Sequence, residues 1–144
     1  MFKHILIPTD GSDLSRKAMR GGIELAKELG ARVTGYVCLE EYPYTPYSEV
    51  VIEAPQSFVE RTREHAQECL SKVKAACEEV GVEFDADTSS FASPWEGIVD
   101  AAGRRGCDLI MMASHGRSGI SALLLGSETQ KVLTHSKIPV LVYR

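Results

Sequence analysis

Apolar residues fall in two rhythms along this chain, and the two alternate. His4-Ile5-Leu6-Ile7-Pro8 is a short apolar run that stops at the turn formers Thr9-Asp10-Gly11-Ser12, so a strand followed by a turn is expected. Ser12 or Asp13 then caps a helix to about Leu29, with Ala18, Gly22, Leu25, Ala26 and Leu29 on one face and Gly30 as its stop. Arg32–Leu39 reads as a second strand through Val33, Val37 and Leu39. From Glu40 to about Gln56 there is no period, only Pro43, Pro46 and Pro55 with Tyr42, Tyr44 and Tyr47. Loops of this length are uncommon and are either functional or loose. The longest helical stripe follows over Ser57–Val80: Val59, Thr62, Ala66, Leu70, Val73, Cys77 and Val80, closed by Gly81.

Val82–Phe91 is a weaker third strand. Ser93-Pro94-Trp95-Glu96 sets a serine cap, a proline at the first helical position and a glutamate three residues after the cap. That pattern predicts a capping box opening a helix that ends near Arg105-Gly106. Asp108–Ala113 is a fourth strand, nearly all apolar. Gly126-Ser127 opens a fourth helix to about Ser136, and Pro139–Tyr143 is the last strand. Strands alternating with helices demand right-handed crossovers and a parallel sheet covered on both faces. The expected fold is therefore α/β, a doubly wound five-stranded parallel sheet, and of the common strand orders of such sheets 3-2-1-4-5 is the one taken here. The near-continuous apolar strands 1, 4 and 5 are expected to be buried on both sides. At 144 residues the chain makes one domain, with a long loop at about 40–56.

Composition narrows the function. The net charge is −4, a poor basis for nucleic-acid binding, which needs a basic face. The last third runs against the rest: Arg117, Lys131, Lys137 and Arg144 face only Glu128 between Ala113 and the end. That imbalance permits an anionic ligand there. The longest apolar run, Leu109–Ala113, is far too short to span a membrane. No secretory signal is read ahead of His4, so a cytoplasmic location is expected. Cys38, Cys69, Cys77 and Cys107 show no C-x-x-C spacing and no histidine cluster beside them. They are expected to be reduced, mostly packed thiols rather than metal ligands.

In an open doubly wound sheet, ligands bind at the carboxyl ends of the strands where strand order reverses. In the order 3-2-1-4-5 that point lies between strands 1 and 4. The loops there are Pro8–Ser12 and Ala113-Ser114-His115-Gly116-Arg117-Ser118-Gly119, the two richest in Gly, Ser and Thr. Gly126 precedes a helix, so the N–H groups of Ser127, Glu128 and Thr129 offer an anion site at the positive end of its dipole. Ser127 and Thr129 add hydroxyl donors, and a phosphate fits. Asp10, at the end of strand 1, is placed to accept hydrogen bonds from ribose hydroxyls. The plain alternatives are that Ser127 caps only its own helix and Asp10 only the first helix.

Other chemistry is missing its motif. There is no G-x-x-x-x-G-K-[ST], no G-x-G-x-x-G after strand 1 and no G-x-S-x-G. A receiver-type phospho-acceptor needs further acidic residues at strand 1 and a lysine after the last strand, and neither is present. His115 is the one candidate general base. No catalytic residue and no metal ligand is assigned.

Three segments together carry a resemblance along essentially the whole length: Ile5-Leu6-Ile7-Pro8-Thr9-Asp10-Gly11-Ser12, Asp108 through Ser114-His115-Gly116, and Leu125-Gly126-Ser127 leading into Pro139-Val140-Leu141-Val142. The chain resembles the universal stress protein family, whose fold is Rossmann-like, of the adenine nucleotide alpha hydrolase type. The family's ATP-binding branch carries G-x2-G-x9-G-[ST]. Here Gly116, Gly126 and Ser127 keep the spacing, and Ala113 replaces the first glycine. The resemblance implies that Pro8, Thr9 and Asp10 line an adenosine pocket and that the backbone near Cys38 meets adenine. It also implies that Gly116, Arg117, Gly126, Ser127, Glu128 and Thr129 surround phosphates, with Ala113 where the backbone approaches the ribose and His115 as a further nucleotide-binding residue of that loop. The implied ligand is ATP, ADP or AMP, with Mg²⁺ bridging phosphate oxygens. The Glu128 carboxylate must then point away from the phosphates or bind the metal. The resemblance further implies a homodimer through the last strand, residues 139–143, a short apolar edge that is a liability if unpaired. The expected function is a dimeric nucleotide-dependent switch in stress response, not a dedicated enzyme. The alternatives are a dimeric interaction module that binds no nucleotide, with Ala113 marking the loss, and a slow ATPase or autophosphorylating protein.

Overall fold

The computed structural model describes residues 1–43, 53–116 and 124–144. The chain runs β1 (His4–Pro8), α1 (Asp13–Leu29), β2 (Arg32–Leu39), α2 (Pro55–Val80), β3 (Phe84–Ser90), α3 (Pro94–Arg104), β4 (Leu109–Ala113), α4 (Ser127–His135) and β5 (Val140–Tyr143). All four sheet pairings are parallel, as the alternating pattern predicts, and the strand order is β3-β2-β1-β4-β5, the order expected.

The sheet separates two cores. On one face Ile5, Ile7, Val33 and Met111 pack with Met19 and Ile23 of α1 and Val73 and Cys77 of α2. On the other, Leu6, Tyr36, Ile110 and Met112 pack with Ile98 and Ala101 of α3 and Val132 of α4. β1 and β4 are buried at every position. Their side chains alternate between the two cores, which is why both strands read as unbroken apolar runs. Fully burying one such aliphatic side chain contributes roughly 1.5–3 kcal/mol.

β5 departs from the expectation of two-sided burial. It pairs only with β4 and is half-buried, with Leu141 38% exposed. Val140 packs into the α3–α4 core and Tyr143 against the α1 core. Being an edge strand, β5 is covered on its faces but not along its free side. The opposite edge, β3, is mostly polar (Phe84–Ser90, FDADTSS), which explains its weak signal. Its buried Asp87 is held by two guanidiniums. Arg104 Nη2 and Arg105 Nε stand 2.9 and 3.2 Å from Asp87 Oδ2. Burial pushes the Asp87 carboxyl up, but the two arginines outweigh it and hold it below its ordinary value.

Three local expectations are corrected. α2 begins at Pro55, two residues early, and at its start Phe58 is buried while Val59 is 42% exposed. The reason is local: Phe58 packs edge-on to Tyr42 at 5.4 Å, and the Tyr42 hydroxyl donates to the Glu53 carbonyl at 2.8 Å. On α1, Met19 and Ile23 join the core face while Leu25 and Leu29 are only partly buried. The capping box at Ser93 does not form, since Ser93 is the N-cap of α3 but makes no side-chain hydrogen bond. None of the four cysteines forms a disulfide, and three are buried. Among the described residues, no helix is long and apolar enough to cross a membrane. Tyr44, Pro46 and Tyr47 of the long loop lie outside the described residues.

Candidate functional site

The carboxyl ends of β1, β2 and β4 open into a cleft of about 510 Å³, within the usual size of small-molecule sites. Of the twelve residues singled out from the sequence, eleven line it: Pro8 at the end of β1 with Thr9 and Asp10 after it, Cys38 on β2, Ala113 at the end of β4 with His115 and Gly116 after it, and Gly126–Thr129 at the start of α4. The twelfth, Arg117, lies outside the described residues. These segments are up to 121 residues apart in sequence (Pro8 to Thr129) and meet only because the strand order reverses between β1 and β4.

The first loop is built by its own side chains. Asp10 Oδ1 accepts the Ser12 N–H at 2.9 Å, and Ser12, not Asp10, caps α1 by accepting the Ser15 N–H at 3.3 Å. Asp10 thus shapes a turn, and its carboxylate stays at the cleft wall. Thr9 is tied inward, its hydroxyl 3.0 Å from Ser15 Oγ and its N–H on the Tyr36 carbonyl at 2.9 Å. Gly11 takes φ +81°, a left-handed conformation that costs a side-chain residue about 1–2 kcal/mol.

Two glycines set how closely the loops approach. A Cβ on Gly116 would stand 2.6 Å from Asp10 Oδ2, so only a bare Cα lets the β1 and β4 loops meet there. A Cβ on Gly126 would stand 3.0 Å from His115 Cα and 3.1 Å from the Ser114 carbonyl oxygen, the same oxygen that accepts the Gly126 N–H at 2.7 Å. Gly126 is the N-cap of α4, and no side chain caps that helix. Ser127 is therefore its first residue and not its cap. The start of α4 faces the cleft, where its N–H groups and dipole favour an anion.

Two side chains at α4 behave differently from expectation. The Thr129 hydroxyl is buried and donates to the Ala113 carbonyl at 3.0 Å. It ties α4 to the end of β4 and has no proton left for a phosphate, so Thr129 contributes its backbone. Glu128 turns to α3: its Oε2 accepts the Trp95 N–H at 2.8 Å. This carboxylate, and not Ser93, satisfies the first turn of α3. Ala113 is buried at the cleft floor, and His115 Nδ1 lies 3.2 Å from Ser114 Oγ. Burial, and after it the charge of Glu128, push the Cys38 thiol above its ordinary value although Tyr36 and the Phe91 backbone oppose them, so Cys38 is a poor nucleophile at neutral pH.

The sequence reading missed the wall supplied by α2. Arg61, Thr62 and His65 line the cleft. Arg61 binds Glu53 through two contacts, 3.0 and 3.2 Å, and its guanidinium lies 5.2 Å from the Phe58 ring centre. His65 Nε2 lies 3.1 Å from the Asp10 carbonyl oxygen and 3.5 Å from Cys69 Sγ. The contact with a carbonyl calls for the proton on Nε2. One signal was available: a helix entered from the carboxyl end of a strand starts at the ligand edge, so the early turns of α2 belong there. Among the described residues, no group of three His, Cys, Asp or Glu side chains is placed to hold a metal ion.

Comparison with known proteins agrees with this architecture. The model of the universal stress protein family matches residues 1–144. The chain is 34% identical over 145 residues to Universal stress protein MJ0531 of Methanocaldococcus jannaschii, covering 100% of this chain and 83% of that one. It is 31% identical to Universal stress protein YxiE of Bacillus subtilis, with 100% of both chains covered. Among solved structures, universal stress protein UspA from Lactobacillus plantarum superposes with a TM-score of 0.83 at 20% identity, covering 99% and 98% of the two chains. A universal stress protein in complex with cAMP superposes at 0.75, with 21% identity and 99% and 97% coverage. An Arabidopsis thaliana member with AMP bound superposes at 0.70, with 13% identity and 98% and 90% coverage. With a family model matched end to end and relatives above 30% identity over its whole length, the chain belongs to the universal stress protein family.

Proposed function

We propose that this protein binds an adenine nucleotide in the cleft between β1 and β4 and acts as a nucleotide-dependent switch in stress response. One observation carries the reading: the described cleft residues converge on a helix start that no side chain caps, behind a glycine whose Cβ would strike Ser114 and His115. The cleft also fits the group in size, with the Asp10 carboxylate at one wall for the ribose and the start of α4 at another for phosphate. Relatives in fold that carry cAMP or AMP support the choice of adenine.

In this reading the backbone N–H groups of Ser127, Glu128 and Thr129 bind phosphate. Asp10, held by Ser12, orients the sugar. The floor at Ala113 and Cys38 excludes water from the base. Mg²⁺ would be held through the nucleotide's own phosphate oxygens. Turnover is slow or nil, because hydrolysis needs a positioned base and concentrated positive charge at the terminal phosphate, and the described residues of the β4 loop offer one imidazole, His115, and no cation. The protein works as a homodimer, with Leu141 on the free edge of β5 as the apolar residue left to cover. Titration calorimetry of the full chain with AMP, ADP and ATP, with and without Mg²⁺, tests the reading. Saturable binding that Gly126→Val abolishes supports it; no heat with any adenine nucleotide leaves the second reading, an interaction module that binds none.

A further inference from the structure

The cleft has an unexpected charge balance. Among the described residues that line it, three carboxylates, Asp10, Glu40 and Glu128, stand against one guanidinium, Arg61. Arg61 is already held by both oxygens of Glu53. The anion-attracting start of α4 therefore sits in a wall whose described fixed charges are mostly negative. Glu128 stands at that point, since it is the second residue of α4.

Three observations fix the Glu128 charge in place. Its Oε2 accepts the Trp95 N–H at 2.8 Å, and α3 has no other side-chain cap. Glu128 is also the second residue of α4, so it stands at the N-terminal turn of its own helix. Among the described residues it pairs with Lys131, whose Nζ stands 3.9 Å from Oε1 with its side chain 48% exposed, so water screens that pair. Glu128 also lines the same cleft as Cys38 of β2.

We propose that Glu128 is a specificity-determining residue that selects ligands of low negative charge, so that the cleft takes an adenine nucleoside monophosphate, linear or cyclic, in preference to the metal-free triphosphate. This rests on the adenine-nucleotide reading above. The physical reason is an opposition at one helix turn. The N–H groups of α4 attract one phosphate at short range. Each further phosphate adds charge that feels the fixed carboxylate without gaining another helix start, because Glu128 itself fills the start of α3. In a partly dry cleft, charge repulsion across several ångströms amounts to about a tenfold change in binding.

Calorimetry of the full chain with AMP and ATP in EDTA tests this, in wild type, Glu128→Gln and Glu96→Gln. Gln keeps an oxygen that can accept the Trp95 N–H, and Glu96 is an acid in the first turn of α3 that does not line the cleft. Wild type is expected to bind AMP tighter than ATP. Glu128→Gln is expected to shift the ATP-to-AMP affinity ratio toward ATP about tenfold, and Glu96→Gln to leave it unchanged. Wild type alone supplies a second measurement: raising salt from about 0.05 to 0.5 M shortens the screening length several-fold and should also move the ratio toward ATP. A wild type that prefers ATP overturns the proposal, as does a ratio that folded Glu128→Gln leaves unmoved, whatever salt does. If AMP binds but the ratio is fixed, the charge selection fails and the nucleotide reading stands; if no nucleotide binds, both fall.

Discussion

Gly116→Ala tests whether the β1 and β4 loops work as one device. The added Cβ would stand 2.6 Å from Asp10 Oδ2, where ordinary contacts begin near 3.4 Å. The carboxylate cannot simply swing aside, because Oδ1 accepts the Ser12 N–H at 2.9 Å, and Ser12 in turn caps α1. Moving Asp10 forfeits a hydrogen bond to a charged acceptor, about 1.5–3 kcal/mol. For a domain of this size, with each kcal/mol worth about 2–4 °C, the melting temperature should fall by about 3–12 °C. Binding should change in kind as well as strength. With Asp10 displaced, the preference for AMP over 2′-deoxy-AMP should collapse toward unity, while the salt dependence of phosphate binding stays. Gly103→Ala is the control: nothing lies within 4 Å of its Cβ, so it should be neutral or slightly stabilising. Thermal melts with paired titrations of AMP and 2′-deoxy-AMP decide the matter. A Gly116→Ala protein that melts within 1–2 °C of wild type and keeps its ribose preference refutes the claim that Asp10 is pinned there to read the sugar.

Gly126→Val should abolish nucleotide binding by more than a hundredfold while the folded chain survives, because its branched side chain meets His115 Cα and the Ser114 carbonyl within about 3 Å; calorimetry after a melt check measures it. Asp87→Asn should cost about 2–4 kcal/mol in urea unfolding at pH 7, since it strips a buried carboxylate from Arg104 and Arg105, which keep Asp100 and Asp85 as partners. The folded Asp87 carboxyl titrates below its ordinary value, so its stabilisation is present above about pH 4 and is lost as pH falls through the folded value; wild type and variant should therefore converge in acid. Leu141→Glu should shift a dimer to monomers in light scattering, because it puts a charge on the free edge of β5; an unchanged mass in both proteins would remove β5 from the interface.

Element order and the parallel, doubly wound class were legible because they rest on local periodicity, whereas the strand order was taken from the few that such sheets adopt. Unbroken apolar runs such as Ile5-Leu6-Ile7 and Leu109–Ala113 mark two-sided burial, and Gly30 and Gly81 stop helices through their own backbone, with φ of +62° and +74°. The site was legible to the same extent, since alternation dictates a switch point and the turn-forming residues mark the loops beside it. What spacing along one chain cannot carry is which partner each polar group takes across elements. Glu128 lies 33 residues from the Trp95 N–H it accepts. The two meet because α3 and α4 cover the same face of the sheet, so the capping box read from Ser93 and Glu96 gives way to a carboxylate from another helix. Thr129 looks like a phosphate ligand until α4 lies against β4 and its hydroxyl finds the Ala113 carbonyl. Phe58 and Val59 exchange places because Tyr42, across the loop, supplies the contact. Local sequence determined where the backbone turns and which faces are apolar; only the packed sheet decided which hydrogen-bond acceptors are already occupied, because a polar group's partner is set by distance in space.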